Sequence, residues 1–229
     1  MTQTKILPIL NQIRLFQDQR TAILEEIAKG ASLRHLGANE RLFDKGDPAD
    51  HIYCIIDGRV KLSFLSDQGH EKVVEIAATG DTFGEAAVFL EKPYPVYADA
   101  LVPSTLIAIH GKSLMRMMAT NHEVASRMIA TLSQRLHRMI HEMESFCILN
   151  ARERVVGYLL HLIETQAPNQ PQPKVELPAT KSTIASMLNL SPETFSRVLH
   201  GLKREGAIEI ENRRIAITDM QALRSRVPC

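Results

Sequence analysis

Cysteine is scarce in this chain of 229 residues, and Cys54, Cys147 and Cys229 stand far apart with no CxxC pair. That spacing supports neither a disulfide framework nor a zinc ribbon, and it fits a reducing compartment. Long apolar runs are missing too. No stretch approaches the ~20 residues that cross a bilayer, and the opening MTQTKILPIL has neither the basic segment nor the apolar run of a signal peptide. The expectation is a cytoplasmic protein without membrane association. Nor is there an excess of one charge, since the net value is +1. An average of that kind hides local asymmetry. From Lys181 onward, Lys181, Arg197, Lys203, Arg204, Arg213, Arg214, Arg224 and Arg226 face a smaller acidic set of Glu193, Glu205, Glu209, Glu211 and Asp219.

With 45% apolar residues the chain can bury one large core or two modest ones. Glycines at 37, 46, 58, 69, 80 and 84 punctuate short runs such as HIYCIID, RVKLSFL and KVVEIAA. Turn signals at that spacing around β-branched runs predict a roll of short antiparallel strands. Ile9, Ile13, Leu15, Phe16, Ile23, Leu24 and Ile27 ahead of it suit short packing helices.

After Gly111, glycine and proline are absent for forty-five residues, and the pattern predicts one long helix to about residue 149. Leu132, Leu136, Met139, Met143 and Phe146 recur at steps of four and three, a seam that suits a parallel partner helix in preference to the competing reading, a core helix of the chain's own. Gln134, Arg135, Arg138, Glu142 and Glu144 fall on the face assigned to solvent. A further helix from about Asn150 to Thr165, with Val155, Val156, Leu159, Leu160 and Ile163 inward, runs into the proline-rich loop APNQPQPK. The organisation expected is a β-roll over 1–110, a dimerisation helix over 111–149 and a small DNA-binding domain over 150–229.

In TKSTIASMLNLSPETFSRVL, Thr180 caps a first helix, and Ala185 is small enough for a close helix crossing. Asn189 tolerates a left-handed turn, and Ser191 with Pro192 opens a second helix. This is a helix-turn-helix pattern. Phe195, Val198, Leu199 and Leu202 pack inward, which leaves Glu193, Ser196, Arg197 and His200 on the outer face near the end that enters a major groove in such motifs. Arginine can donate two bonds to guanine and a carboxylate can accept from cytosine, so one G·C pair per half-site is expected. An (i, i+4) ion pair between Glu193 and Arg197 is the competing reading. Thr180, Lys181 and Ser182 suit phosphate contacts. The alternation in IEIENRRIAI adds a β-hairpin wing whose tip arginines can reach DNA.

FDKGDPADHIYCIIDGRVKL, GDTFGEAAVFL and SPETFSRVL resemble, in order, three stretches of the CRP/FNR superfamily of bacterial transcription regulators. The resemblance implies an α+β protein: a cyclic-nucleotide-binding-type antiparallel β-roll, a long dimerisation helix and a C-terminal winged helix-turn-helix. It also implies a homodimer on a palindromic promoter, with double-stranded DNA and RNA polymerase as partners and no enzyme activity. Glu193, Ser196 and Arg197 match the E-x-x-S-R signature of the branch that reads TTGAT-type inverted half-sites. Where cyclic-AMP receptors carry an Arg-Ser pair for the cyclic phosphate, this chain has Pro95 and Val96. Cyclic AMP is therefore not expected; Glu85 is the one candidate the resemblance leaves for effector binding, and without the arginine it reads better as a buried turn carboxylate bonded to backbone. With no cysteine before Cys54, an iron–sulfur cluster is not expected either. EKPYPVYADALVPSTL, LNARERVVGYLL and PETFSR resemble the dissimilative nitrate respiration regulators, which implies haem and nitric oxide sensing. The iron ligand stays open among histidines such as His70, His110 and His122. A cupin-like metal enzyme is disfavoured because His51 is followed by Tyr53 with no second histidine nearby in sequence.

Overall fold

The computed structural model describes residues 3–10, 13, 15–16, 19–66, 68–69 and 71–224, without the side chains of residues 3–5, 142, 145, 146 and 224. His70, Arg226, Cys229 and the side chains of Glu142, Phe146 and Arg224 thus lie outside the described residues. The chain divides into two compact units, 1–136 and 137–229.

In the first unit, two antiparallel sheets form the roll. One sheet runs β1 (Ala31–Leu36), β8 (Ser104–His110), β3 (His51–Asp57) and β6 (Thr82–Phe83) in spatial order; the other runs β2 (Arg41–Phe43), β7 (Tyr97–Ala100), β4 (Arg59–Leu65) and β5 (Glu71–Ala78). Alternate residues of both sheets point inward to a shared core of Phe43, Tyr53, Phe83, Tyr94, Val60 and Leu106. The turn between β3 and β4 uses Gly58 at φ 101°, where a Cβ would lie 2.2 Å from the Ser104 hydroxyl. Only glycine fits there without moving that strand.

The outer face of the first sheet is covered by α1 (Gln3–Leu10), α2 (Thr21–Lys29), α4 (Gly111–Thr120) and the start of α5 (His122–Ile148). Within the roll lies the short α3 (Glu85–Phe89). The uninterrupted helix expected over 111–149 is in fact two helices, because Asn121 is extended at φ −130° and ψ 101°. Its side-chain oxygen accepts from the Glu123 and Val124 amides at 3.0 and 3.2 Å, which caps α5 and offsets the lost helical bonds. α5 itself has 27 residues, ~40 Å of helix at 1.5 Å per residue. No described helix is long and apolar enough to cross a membrane.

In the second unit, Asn150 and Glu153 form a reciprocal capping box that starts α6 (Ala151–Gln166). α7 (Lys181–Met187) and α8 (Pro192–Arg204) follow, then a three-stranded sheet in the order β10 (Ile208–Glu211), β11 (Arg214–Ile217), β9 (Lys174–Glu176), and last α9 (Met220–Arg224). The hairpin is the wing expected from its alternation. Its third strand was not legible: Lys174, read as the end of a loop, opens β9, which pairs with β11 through Val175 and Ile215.

Candidate nucleic-acid interface and the buried pair of the first unit

Every feature of the helix-turn-helix has a local cause. Thr180 Oγ1 accepts from the Thr183 amide at 3.2 Å, and Ser191 Oγ accepts from the Thr194 amide at 3.2 Å, so each helix starts on a side-chain cap. Ile184 and Ala185 are fully buried, and the Leu190 amide donates to Ala185 O at 2.9 Å across the turn. Asn189 takes φ 56° as expected. The turn is clamped from α6, where Arg154 Nη1 donates to the carbonyls of Leu188 and Asn189 at 3.0 and 3.1 Å. Arg152 and Glu205 form a second tie, a two-pronged ion pair joining the start of α6 to the end of α8. Both arginines escaped the sequence reading, which saw α6 only through its apolar face.

Phe195, Leu199 and Leu202 are buried. Val198, also expected inward, is half-buried. On the outer face Glu193, Arg197 and His200 are exposed and Ser196 is half-buried, so the structure brings the four together on one side of α8. At the start of α7, Thr180 and Ser182 are exposed and Lys181 is half-buried. The competing ion pair is absent: Arg197 Nη2 donates to the Thr194 hydroxyl at 3.3 Å. The Glu193 carboxylate turns back to its own backbone amide and the Ser191 hydroxyl, which hold its pKa below the ordinary carboxylate value. It is therefore charged at neutral pH, and Arg197 keeps most of its donors free. Of the wing arginines, Arg214 is exposed, whereas Arg213 is turned inward and donates to Leu177 O from Nε at 3.2 Å and Nη2 at 2.8 Å. The expectation that both tip arginines are available is corrected by that bond, which satisfies a backbone carbonyl beside the β9 strand.

Glu85 is fully buried, as expected, but its partner is not backbone. Arg135 Nη1 donates to Glu85 Oε2 at 2.9 Å, Nη2 donates to Thr82 O, and Glu75 stands 3.5 Å away. Arg135, assigned to solvent from its spacing, is thus a core-facing residue, with its side chain 22% exposed. Burial works against its charge, yet Glu85 and Glu75 outweigh that and keep its pKa raised. Among the described residues, Glu85 Oε1, Thr82 Oγ1 and Arg135 Nε are buried with no hydrogen-bond partner. The seam residues of α5 divide: Leu136, Met139 and Met143 are 60, 50 and 66% exposed, whereas Leu132 is half-buried against the protein's own core. Ile129 and Ile140 join the exposed stripe.

The histidines also differ from their linear reading. The β3–β8 register sets His51 opposite His110, with rings edge to face and centroids 5.4 Å apart, so a second histidine does lie beside His51. Desolvation, then the neighbouring His110, lowers the His51 pKa. His110 Nδ1 accepts from the Lys112 amide at 3.2 Å and caps α4. His122 is exposed at the start of α5. Among the described residues, no group of three or more His, Cys, Asp or Glu side chains converges to hold a metal.

A Cyclic nucleotide-binding domain model matches residues 33–121, and a Crp-like helix-turn-helix domain model matches residues 153–226. The solved structure of DNR from Pseudomonas aeruginosa is 36% identical, over 95% of this chain and 96% of its own, with a TM-score of 0.50. The chain belongs to the CRP/FNR family. Another member of the CRP/FNR family, the CRP-like cAMP-activated global transcriptional regulator of Mycobacterium tuberculosis, is 24% identical over 95% of this chain and 98% of its own. FixK2 from Bradyrhizobium japonicum has the same fold, with a TM-score of 0.76 at 23% identity over 87% of this chain and 98% of its own. As a CRP/FNR protein, this chain is a DNA-binding transcription regulator.

Proposed function

We propose that the protein is a homodimeric, effector-dependent regulator that reads TTGAT-type inverted half-sites. The observation that carries this reading is the outer face of α8. Arg197, unpaired with Glu193, has a guanidinium free for a two-pronged contact to guanine O6 and N7; the charged Glu193 accepts from cytosine N4; Ser196 and His200 flank them. Thr180, Lys181 and Ser182 hold the phosphate backbone at the start of α7. The full-length protein is expected to bind an inverted pair of TTGAT half-sites more tightly than a scrambled duplex at equal moderate salt, which is held fixed because phosphate contacts dominate affinity. Equal binding to both duplexes would remove the main support for sequence reading.

The second copy packs along α5. Leu136, Met139 and Met143, with Ile129 and Ile140, leave an apolar stripe exposed in the single chain, and a parallel partner helix would bury it. Leu136→Glu is expected to give a monomer in analytical ultracentrifugation. A dimer unchanged by that substitution would place the interface elsewhere. RNA polymerase is the further partner, for which exposed residues 168–172 offer a surface. A regulator that works on DNA is expected in the cytoplasm.

An effector acts by binding one of two dimer states better than the other. The sequence resemblance to the dissimilative nitrate respiration regulators implies haem and nitric oxide, but the described interior of the roll offers no place for a haem in this conformation. The interior of the roll is filled by rings, with Phe43 stacked on Tyr94 at 3.8 Å and Tyr53 on Phe83 at 5.4 Å. A depression of about 380 Å³ on the roll has Asp57, Arg59 and Thr79 among its walls and, among the described residues, no histidine. Haem titration of the anaerobic protein decides the matter: a Soret band saturating at one haem per subunit and shifted by nitric oxide supports gas sensing through a rearranged roll. A spectrum of free haem alone turns the search to small organic ligands. Cyclic AMP is not proposed, because Pro95 and Val96 supply no cation for its phosphate.

A further inference from the structure

Four residues apart on α5, His137 and His141 are neighbours on one face of the helix. Both are exposed, and their Nε2 atoms stand 3.1 Å apart with the rings edge to face and centroids at 4.4 Å. Two imidazole nitrogens around one tetrahedral zinc, each bonded at about 2.05 Å, are separated by about 3.3 Å. The pair is thus already close to the bite of a divalent metal ion. The next turn supplies the supporting group. Glu144 Oε2 lies 3.5 Å from His141 Nδ1, where a carboxylate favours the tautomer with the proton on Nδ1 and leaves the Nε2 lone pair to point at His137.

We propose that His137 and His141 form a metal site for a divalent transition ion of zinc type, with Glu144 as the positioning carboxylate behind His141. Imidazole suits zinc, copper and nickel, whereas calcium and magnesium prefer oxygen. The protein supplies two ligands and water completes the shell. At 100° per residue the pair is centred about 120° round the helix from the exposed stripe of Ile129, Leu136, Met139, Ile140 and Met143, so a helix packed on the centre of that stripe leaves the site open. Each subunit therefore takes its own ion, which bridges successive turns and stiffens the second half of α5. This inference stands apart from the DNA reading, since neither histidine lies on α7 or α8.

Zinc chloride titrated calorimetrically into the full-length protein tests it. One zinc per subunit is expected, weakened tenfold or more by His137→Ala or His141→Ala and about tenfold by Glu144→Gln. His161→Ala, an exposed histidine elsewhere, and Cys147→Ser, the exposed thiol nearby, should leave the affinity unchanged. Zinc should also raise the thermal midpoint of the parent protein and not that of the double histidine variant. The site is refuted if the parent shows no saturable binding, if the double variant binds equally well, or if Cys147→Ser alone abolishes binding.

Discussion

Arg135→Ala is expected to be among the most damaging single changes in the first unit, lowering its unfolding free energy by about 3 to 5 kcal/mol, the usual cost of leaving one partner of a buried ion pair alone. Glu85 is fully buried, so its carboxylate cannot turn to water when the guanidinium is removed. The Thr82 carbonyl would lose its donor at the same time. Denaturant unfolding checks this, with the double variant Glu85→Gln, Arg135→Met as the diagnostic companion. The double variant should recover a large part of the loss, because it removes the uncompensated charge as well as the pair. A shift below about 1 kcal/mol for Arg135→Ala would match an exposed salt bridge and mean that the buried pair does not form in solution.

Arg197→Ala should cost about 1 to 3 kcal/mol of binding free energy on the TTGAT palindrome, roughly five- to 150-fold in affinity. The loss should be confined to duplexes that carry the contacted G·C pair. On duplexes with that pair replaced, parent and variant should bind alike, since the lost contact was already unmade. A uniform loss on every sequence, with a smaller salt slope, would instead make Arg197 a phosphate contact. The structure sharpens this expectation, because a guanidinium held by Thr194 at 3.3 Å through a single nitrogen has little to break before it meets a base.

The helix-turn-helix was legible because its determinants are local. Caps, a left-handed asparagine, a proline at the first helical position and a one-sided apolar face act within a few residues of one another, so Thr180, Asn189, Ser191 and Phe195 each announce their role in linear order. The wing hairpin was legible for the same reason. Its partner β9 was not, since three residues beside a proline-rich loop carry no periodic signal of their own. Asn121 was missed because an asparagine inside an apolar periodic run looks tolerable in a helix, and only its capping bonds reveal the break.

By itself, then, the sequence determined the order of parts, the helix-turn-helix with its wing hairpin, and the four polar side chains grouped on one side of α8, since propensity, capping and periodicity work over short separations. Tertiary structure alone decided what the long helix does on each face. Val124 and Met128 turn one stripe of α5 into the core, Arg135 follows them to reach Glu85 fifty residues away, and Leu136, Met139 and Met143 are left on a separate exposed stripe. The same folding set His51 beside His110 through strand register. A helical period says which residues share a face; it does not say which face meets a sheet and which meets a second chain, because that choice depends on surfaces distant in sequence whose burial is set only when the roll closes.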